Sequence, residues 1–577
     1  MKKTKVLAFL LACTMSVSVL AACSDTGGDS SSAESKGASQ ASKVEEKSSE
    51  AETSVEETNT TGDYSEPRSY TWYYNNDWET IRPWGNDDVS KYLKEKFNVD
   101  INFSRADADY EAKLNIMISS GDLPDIITMG RDANFLKMAE LGLLQSIDPL
   151  REKNPEFDEY VKESTRELLR VDGELYTIPT WARANGATGG NLSWMYNKRI
   201  YEAAGSPDLT TFDGLYEYAK KAKEIGKTEE GLDIIPFASG TDTLDGERIL
   251  NGFHRSMGAP SAIYGWYAPV DGKLTNVFYD DKYWRVATME ANKWYREGLI
   301  SETNFSDTRD QLVEKQAAGR FGLMYYDFSL DDVTHFRQIL KEAHPDDDYV
   351  VLTDPAFPPT NGVDADKVYG EYKPTSSGDG INFTTKAEDP QRIFDMCTYL
   401  MTQEGASVQM YGPKGGLLWD ETDADGNPIL KKSEGLLTEE EKNQLGLWFW
   451  MIPGHADSVD ETKFAVNAAL PEAERSFVVS YQADVFTPLN FLTDEFFGLR
   501  DTVSPTEDLG IKRQACEDQI RAQLPKIIMA STEEEATKLY DELVDFLKNN
   551  GMDEIVAKYD AKYQENVKIQ GGTAYNR

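Results

Sequence analysis

Residues 88–103, "DVSKYLKEKFNVDINF", and 108–130, "ADYEAKLNIMISSGDLPDIITMG", decide the fold. In the first stretch Val89, Tyr92, Leu93 and Phe97 recur at helical spacing, and the residues after Asn98 alternate as a strand does. The second stretch repeats the idea. Tyr110, Leu114 and Met117 share a helix face, Gly121 stands where a helix stops, and 126–129 reads as a short buried strand. Helices and strands in alternation predict an α/β body with a mainly parallel sheet. Such sheets hold ligands beyond the carboxyl ends of their strands, where the loops "NNDW" (75–78) and "GRDAN" (130–134) fall.

Upstream, the chain has a different character. Lys2, Lys3 and Lys5 precede an apolar stretch from Val6 to Leu20 that is short for a membrane span, and small residues follow. This is the anatomy of a secretory signal, predicted to cover 1–22. Leu20-Ala21-Ala22-Cys23 resembles a bacterial lipobox, which makes Cys23 the expected lipidation site. A diacyl unit supplies the two-chain anchoring that one chain cannot. From Ser24 to Glu66 only Val44, Val55 and Tyr64 are large and apolar, too few to offset the entropy of folding. The reading for 23–66 is therefore a lipidated cysteine with a disordered tether, about 35 to 40 Å from end to end.

The folded part exceeds the size at which a single core keeps growing, so two lobes are expected. The net charge of −40 argues against nucleic acid and against docking on an anionic membrane surface. After the signal no apolar run of eighteen residues occurs, so the lipid is the only expected membrane contact. Cys397 and Cys516 are read as two buried thiols, since one bridge would staple little of a body this large.

Seven segments then occur in an order that resembles one family: "SSGDLPDII" (119–127), "LLRVDGELYTIP" (168–179), "WMYNKRIYEAAG" (194–205), "TTFDGLYEYAKKAKE" (210–224), "WYREGLISETNF" (294–305), "AAGRFGLMYYD" (317–327) and "DPQRIFDMCTYLMTQEGASVQMYGPKGG" (389–416). Together they resemble the family-one extracellular solute-binding proteins, the lipid-anchored capture subunits of carbohydrate ABC importers. The resemblance implies an α/β, two-lobed clamshell of the type II periplasmic-binding-protein kind, with hinge crossings and a helical C-terminal part. It implies lobe 1 from 67–190 with about 373–425, and lobe 2 from 191–372 with about 426–577. It further implies a monomer on the outer face of a Gram-positive-type cell membrane that passes an oligosaccharide to the permease subunits of an ABC importer. The three-glycine stretch "ARANGATGGN" (182–191) is the hinge candidate.

Pyranose rings present apolar C–H faces and a rim of hydroxyls, so the useful signal is an aromatic beside polar groups in a loop. Asn76, Asp77 and Trp78 fit, as do Trp181 with Arg183, Trp266 after its glycine, and Tyr326 with Asp327 at a strand end. Arg131 and Asp379 follow loop positions of the family. Trp194, Trp284, Trp294, Trp448 and Trp450 sit in apolar surroundings and are read as core.

In "DETDADGNPI" (420–429) acids alternate before Gly426 as in a calcium loop, but the twelfth position from Glu421 is Lys432 where a bidentate carboxylate is needed. A hairpin turn at Asp425-Gly426 is the better reading, and no metal or cofactor is expected. No H-E-x-x-H, G-x-S-x-G or phosphate-binding glycine loop occurs, so the chain is expected not to be an enzyme. Two other classes stay open: a secreted polysaccharide hydrolase or lyase, whose acid pair counting does not exclude, and a peptide-binding or adhesion lipoprotein.

Overall fold

Strand β1 (Arg68–Tyr74) lies between β2 (Val99–Arg105) and β3 (Ile126–Gly130) and is parallel to both, with Trp72 opposite Phe103 on one side and Ile126 on the other. Parallel neighbours need crossovers, and helices α1 (Asp88–Phe97) and α2 (Tyr110–Ser120) supply them. Asp87 caps α1 by accepting from the Ser90 N–H, and Val89, Leu93 and Phe97 are its buried face. Gly121, at φ 70°, ends α2 in the left-handed conformation that glycine adopts without strain. This is a computed structural model; it describes residues 64–76, 81–106, 109–190, 192–239, 246–327, 330–446, 454–504 and 507–575. These belong to one compact unit running from Asn59 to Arg577. Cys23 and most of the expected tether lie outside the described residues, as do Asp77 and Trp78.

After β4 (Thr177–Pro179) the chain builds a second sheet from β5 (Leu192–Asn197) and β6 (Ile235–Ala238). A separate hairpin, β7 (Tyr267–Val270) and β8 (Lys273–Asn276), precedes its last members, β9 (Phe321–Asp327) and β10 (Tyr349–Val351). A short strand β11 (Tyr372–Lys373) leads to β12 (Asp379–Phe383), which returns to the first sheet between β3 and β4. The sheet orders are β2-β1-β3-β12-β4 and β10-β5-β9-β6.

Beyond β12 the helices Pro390–Met401 and Gln403–Tyr411 pack on the first sheet, where Phe394, Met396 and Leu400 join Trp72 and Ile381 in one core. Strands β13 (Trp419–Thr422) and β14 (Pro428–Leu430) form the hairpin expected at 420–429. The Asp423 carboxylate accepts from the N–H groups of Asp425 and Asn427, and among the described residues no cluster of three or more His, Cys, Asp or Glu side chains is placed to hold a metal ion. The core of the second sheet is built on Trp194, ringed by Phe212, Phe237, Phe253 and Tyr325. Three long helices, Asp508–Ile528, Glu533–Asn549 and Met552–Ile569, close that core with Leu524, Tyr540, Leu547 and Ile555. Cys397 and Cys516 are both free and buried, one in each of these two cores.

Three stretches carry the chain between the sheets. The first is 180–191. The second is 371–378, and the third follows the helix Asp457–Ala469 and ends at the helix Phe477–Tyr481, whose Val478 belongs with the second sheet. Beside them β11 pairs with β15 (Phe491–Leu492) in a two-stranded parallel ladder.

Candidate functional site

The strand registers put one row of residues along a single edge of the first sheet. Tyr74 is level with Thr128, Gly130 with Asp379, and Gly380 with Pro179. The residues just past those positions therefore crowd together: Asn75 and Asn76 after β1, Arg131 and Asp132 after β3, Asp379 opening β12, and Thr180 and Trp181 after β4. After twelve intervening residues beyond Pro179 the chain enters the second sheet at Leu192, which is paired with Asp327 at the far end of β9. Two sheet edges joined by so short a connection define the recess where α/β sheets bind ligands.

Arg131 spans that recess. Its Nη1 lies 3.4 Å from Asp501 Oδ2, its Nη2 donates to the carbonyl of Leu169, and the guanidinium lies over the rings of Phe135 and Phe497. Asp501 follows Leu499 and precedes Val503, both in the core of the second sheet. Arg131, expected as a ligand contact, thus ties one side of the recess to the other. Burial pulls its pKa down and Asp501 partly restores it.

Acids surround this tie. Asp132 caps the helix Ala133–Glu140 through the N–H groups of Asn134 and Phe135. Glu111 accepts from Asn75 Nδ2 and, at 2.6 Å, from Asn134 Nδ2. Gly130 lies between Asp379 and Asp132: a methyl placed there would touch both at ordinary contact distance, 3.4 Å from one carboxylate and 3.7 Å from the other. Asp379 is exposed to solvent, yet burial and then the Asp132 charge push its pKa up. A side chain both wet and crowded by protein is one that lines a recess. Burial also raises Asp132, Asp501 and Glu111. The folded state holds these protons more tightly, so stability falls as pH rises from the ordinary carboxylate range through the raised values. Asp379→Asn should therefore raise the midpoint of thermal unfolding at pH 7.5, and the gain should shrink towards pH 4. A gain independent of pH would mean that Asp379 titrates as a free carboxylate.

Trp181 begins the first crossing. It is half-buried between the His455 ring at 5.1 Å and the Arg183 guanidinium at 5.2 Å. Residues 181–183 are sewn to 375–377, through Ser377 N–H to Trp181 O and Arg183 N–H to Thr375 O, and Ala182 N–H donates to His455 O. The Asp457 carboxylate holds the crossing by accepting from Ala184 and Asn185 N–H, both at 2.7 Å. Asp460, paired with Lys463 at 2.5 Å, also faces Arg183. At the other end of the crossing Gly190, φ 116°, passes so close to Phe486 that a methyl would sit 2.8 Å from its Cβ.

Of the residues expected from sequence, Asn76, Arg131, Trp181, Arg183 and Asp379 come together here. Tyr326 and Asp327 close β9 at the facing edge by their backbone positions. Trp266 does not join them. The turn at Tyr264 and Gly265, φ 50° and 76°, reverses the chain so that the indole enters the core, 1% exposed and 5.9 Å from Phe278. Trp266→Ala should accordingly cost stability, about 3–5 kcal/mol, and leave ligand contacts alone. Glu111, Asp132, Asp457, Asp460 and Asp501 were not singled out by sequence. Each stands at or near a helix end, where an acid reads as an ordinary cap.

The profile of the family described as "Bacterial extracellular solute-binding protein" matches residues 79–405. A curated relative, the fructooligosaccharide ABC transporter substrate-binding protein FusA of Streptococcus pneumoniae, is 24% identical over 265 residues, 43% of this chain and 47% of that protein. The match thus spans about half the length of that relative. Among solved structures, the alginate-binding protein AlgQ2 without calcium ion superposes with a TM-score of 0.62 at 18% identity, covering 88% of this chain and 100% of the other. An HMO-binding ABC-transporter-associated solute-binding protein from Bifidobacterium longum infantis gives 0.62 at 17% identity, over 88% and 100%. FusA with kestose gives 0.60 at 16%, over 86% and 99%. These likenesses bear out the α/β, two-lobed solute-binding fold with its helical C-terminal part. By the profile match, which takes in more than half of its length, the chain belongs to the family of bacterial extracellular solute-binding proteins.

Proposed function

We propose that this protein is a lipid-anchored, non-catalytic receptor that captures an oligosaccharide between its two lobes and hands it to the permease subunits of an ABC importer. The observation that carries the reading is the recess itself: two sheet edges joined by a short crossing, with an indole and paired donors and acceptors at the join. Among the relatives named above, FusA is a fructooligosaccharide ABC transporter substrate-binding protein and the Bifidobacterium protein is an HMO-binding, ABC-transporter-associated one, which supports the class. The first lobe takes in 64–180 with about 376–469, because the helix Asp457–Ala469 packs on Gln403–Tyr411 and Pro390–Met401. The second takes in 192–372 with about 477–575. Closure selects contacts that exist only when both lobes touch the ligand, since equal affinity for open and closed forms shifts nothing.

A thermal-shift screen of the purified protein against oligosaccharides tests this, because a ligand of the native state adds RT ln(1 + [L]/Kd) of stability. Trp181→Ala should weaken the ligand so found by about 1–3 kcal/mol, read by calorimetry. Release of shorter products would favour the hydrolase or lyase reading, and shifts with peptides alone would favour a peptide receptor. Scattering should show a smaller radius of gyration at saturating ligand.

For location, the reading is the outer face of the cell membrane, with the protein acting as a monomer. Cys23→Ser removes the thiol that takes the lipid, so the variant should be recovered in the medium or unprocessed. A mature variant still bound to membranes would refute lipidation at Cys23.

A further inference from the structure

Around Arg131 the recess carries four carboxylates, those of Glu111, Asp132, Asp379 and Asp501; against them stand the Arg131 guanidinium, already engaged by Asp501 and by a backbone carbonyl, and the Lys562 charge that acts on Asp501 alone of the four. Asp379 and Asp132 both come within 4 Å of one point above Gly130. Among the described residues no group of three or more His, Cys, Asp or Glu side chains is placed to hold a metal ion. A second observation points to what the ligand brings. Asn75 is 7% exposed and spends its Nδ2 on Glu111, while its Oδ1 has no hydrogen-bond partner. That oxygen is an acceptor, which a sugar hydroxyl can satisfy and an ionised carboxylate cannot.

We infer that the recess selects uncharged oligosaccharides and rejects acidic ones, with Asp379, Asp132 and Glu111 as the residues that set this preference. The inference rests on the oligosaccharide reading above and narrows it. A uronate placed along this edge meets like charges in a partly desolvated setting, where repulsion is strong and the incoming anion is also steered away. Hydroxyls of a neutral sugar meet acceptors that are already fixed by Asn75, Asn134 and the helix end.

The test is a matched panel on the full chain. Fructo-, malto- and manno-oligosaccharides are set against oligogalacturonates and alginate-derived uronates of equal length, by thermal shift and then calorimetry at low salt. The expected result is binding of at least one neutral series, with the uronates weaker by about 100-fold or more. Raising the salt to 0.5 M should narrow that gap. The double variant Asp379→Asn, Glu111→Gln should raise the affinity for a uronate-terminated analogue of the neutral ligand about tenfold, and so narrow the gap between the two ligands. A uronate that binds as well as its neutral counterpart overturns the preference but leaves the oligosaccharide reading standing. No shift with any sugar defeats that reading and this inference with it. A gap unmoved by salt and by the double variant removes these three residues from the explanation.

Discussion

Gly370→Val should lower the stability of the protein by about 3 kcal/mol and loosen the connection between its lobes. A Cβ at this position would lie 2.4 Å from the carbonyl oxygen of Leu489, 2.6 Å from its carbonyl carbon and 3.0 Å from Asn490 N. All three are backbone atoms, so no side chain can swing aside. What must shift is the β11/β15 ladder. The N–H of Glu371 donates to Asn490 Oδ1 at 2.9 Å, Phe491 N–H donates to Glu371 O, and Asn490 Nδ2 donates to Gly189 O at 2.8 Å in the first crossing. One overpacked contact therefore disturbs two of the three stretches that join the lobes. Gly378→Ala is the control, since a methyl there meets nothing within 4 Å. Urea unfolding of the two variants decides the matter. If both melt alike, the close passage at 370 carries no weight in the hinge.

Much of this was legible in the sequence, and the parts that were not share a cause. The helices and strands of 88–130 were readable because their apolar positions recur at local periods and end at residues such as Gly121 that stop a helix. The edge row was readable in part, since loops after parallel strands face the ligand whatever their sequence. Trp266 misled because a tryptophan after glycine looks the same whether its turn points the ring outward or inward, and that direction is set by packing against Phe278 and its neighbours. Arg131 was placed at the recess, but its tie to Asp501 joins residues 370 positions apart and leaves no local trace. The hinge shows the same limit. "ARANGATGGN" announces itself by its glycines, whereas β11 and β15 are two residues each and owe their existence to one another. The acids of the recess hid among one hundred Asp and Glu side chains, most of them solvated.

Glu371 ties the hinge together electrostatically, and Glu371→Gln should cost about 3 kcal/mol at pH 7, an amount that disappears in acid. The carboxylate accepts from Lys373 Nζ at 2.7 Å and from the N–H of Leu192 at 3.1 Å, where the first crossing enters the second sheet. Burial alone would raise its pKa. The Lys373 charge, and then that of Arg255, outweigh burial and hold it at about 2. Arg255 is 2% exposed, lies over the Phe357 ring and donates to neutral partners, Tyr369 O, Asn251 Oδ1 and Ser261 Oγ. Removing the negative charge leaves two partly buried cations facing an amide, the arrangement that makes a broken buried pair expensive. The sign of the pH dependence follows from the depressed value. The unfolded carboxyl takes up its proton near 4.5, the folded one only near 2, so the stabilisation is complete above the first value and is lost as pH falls towards the second. A shift of that size corresponds to about 3 kcal/mol. Measured by urea unfolding, the difference between wild type and Glu371→Gln should be full at pH 7, reduced at pH 3.5 and small near pH 2. A difference that stays constant across this range would mean that the glutamine acts through shape or hydrogen bonding, and that the charge of Glu371 is not what holds the crossings together.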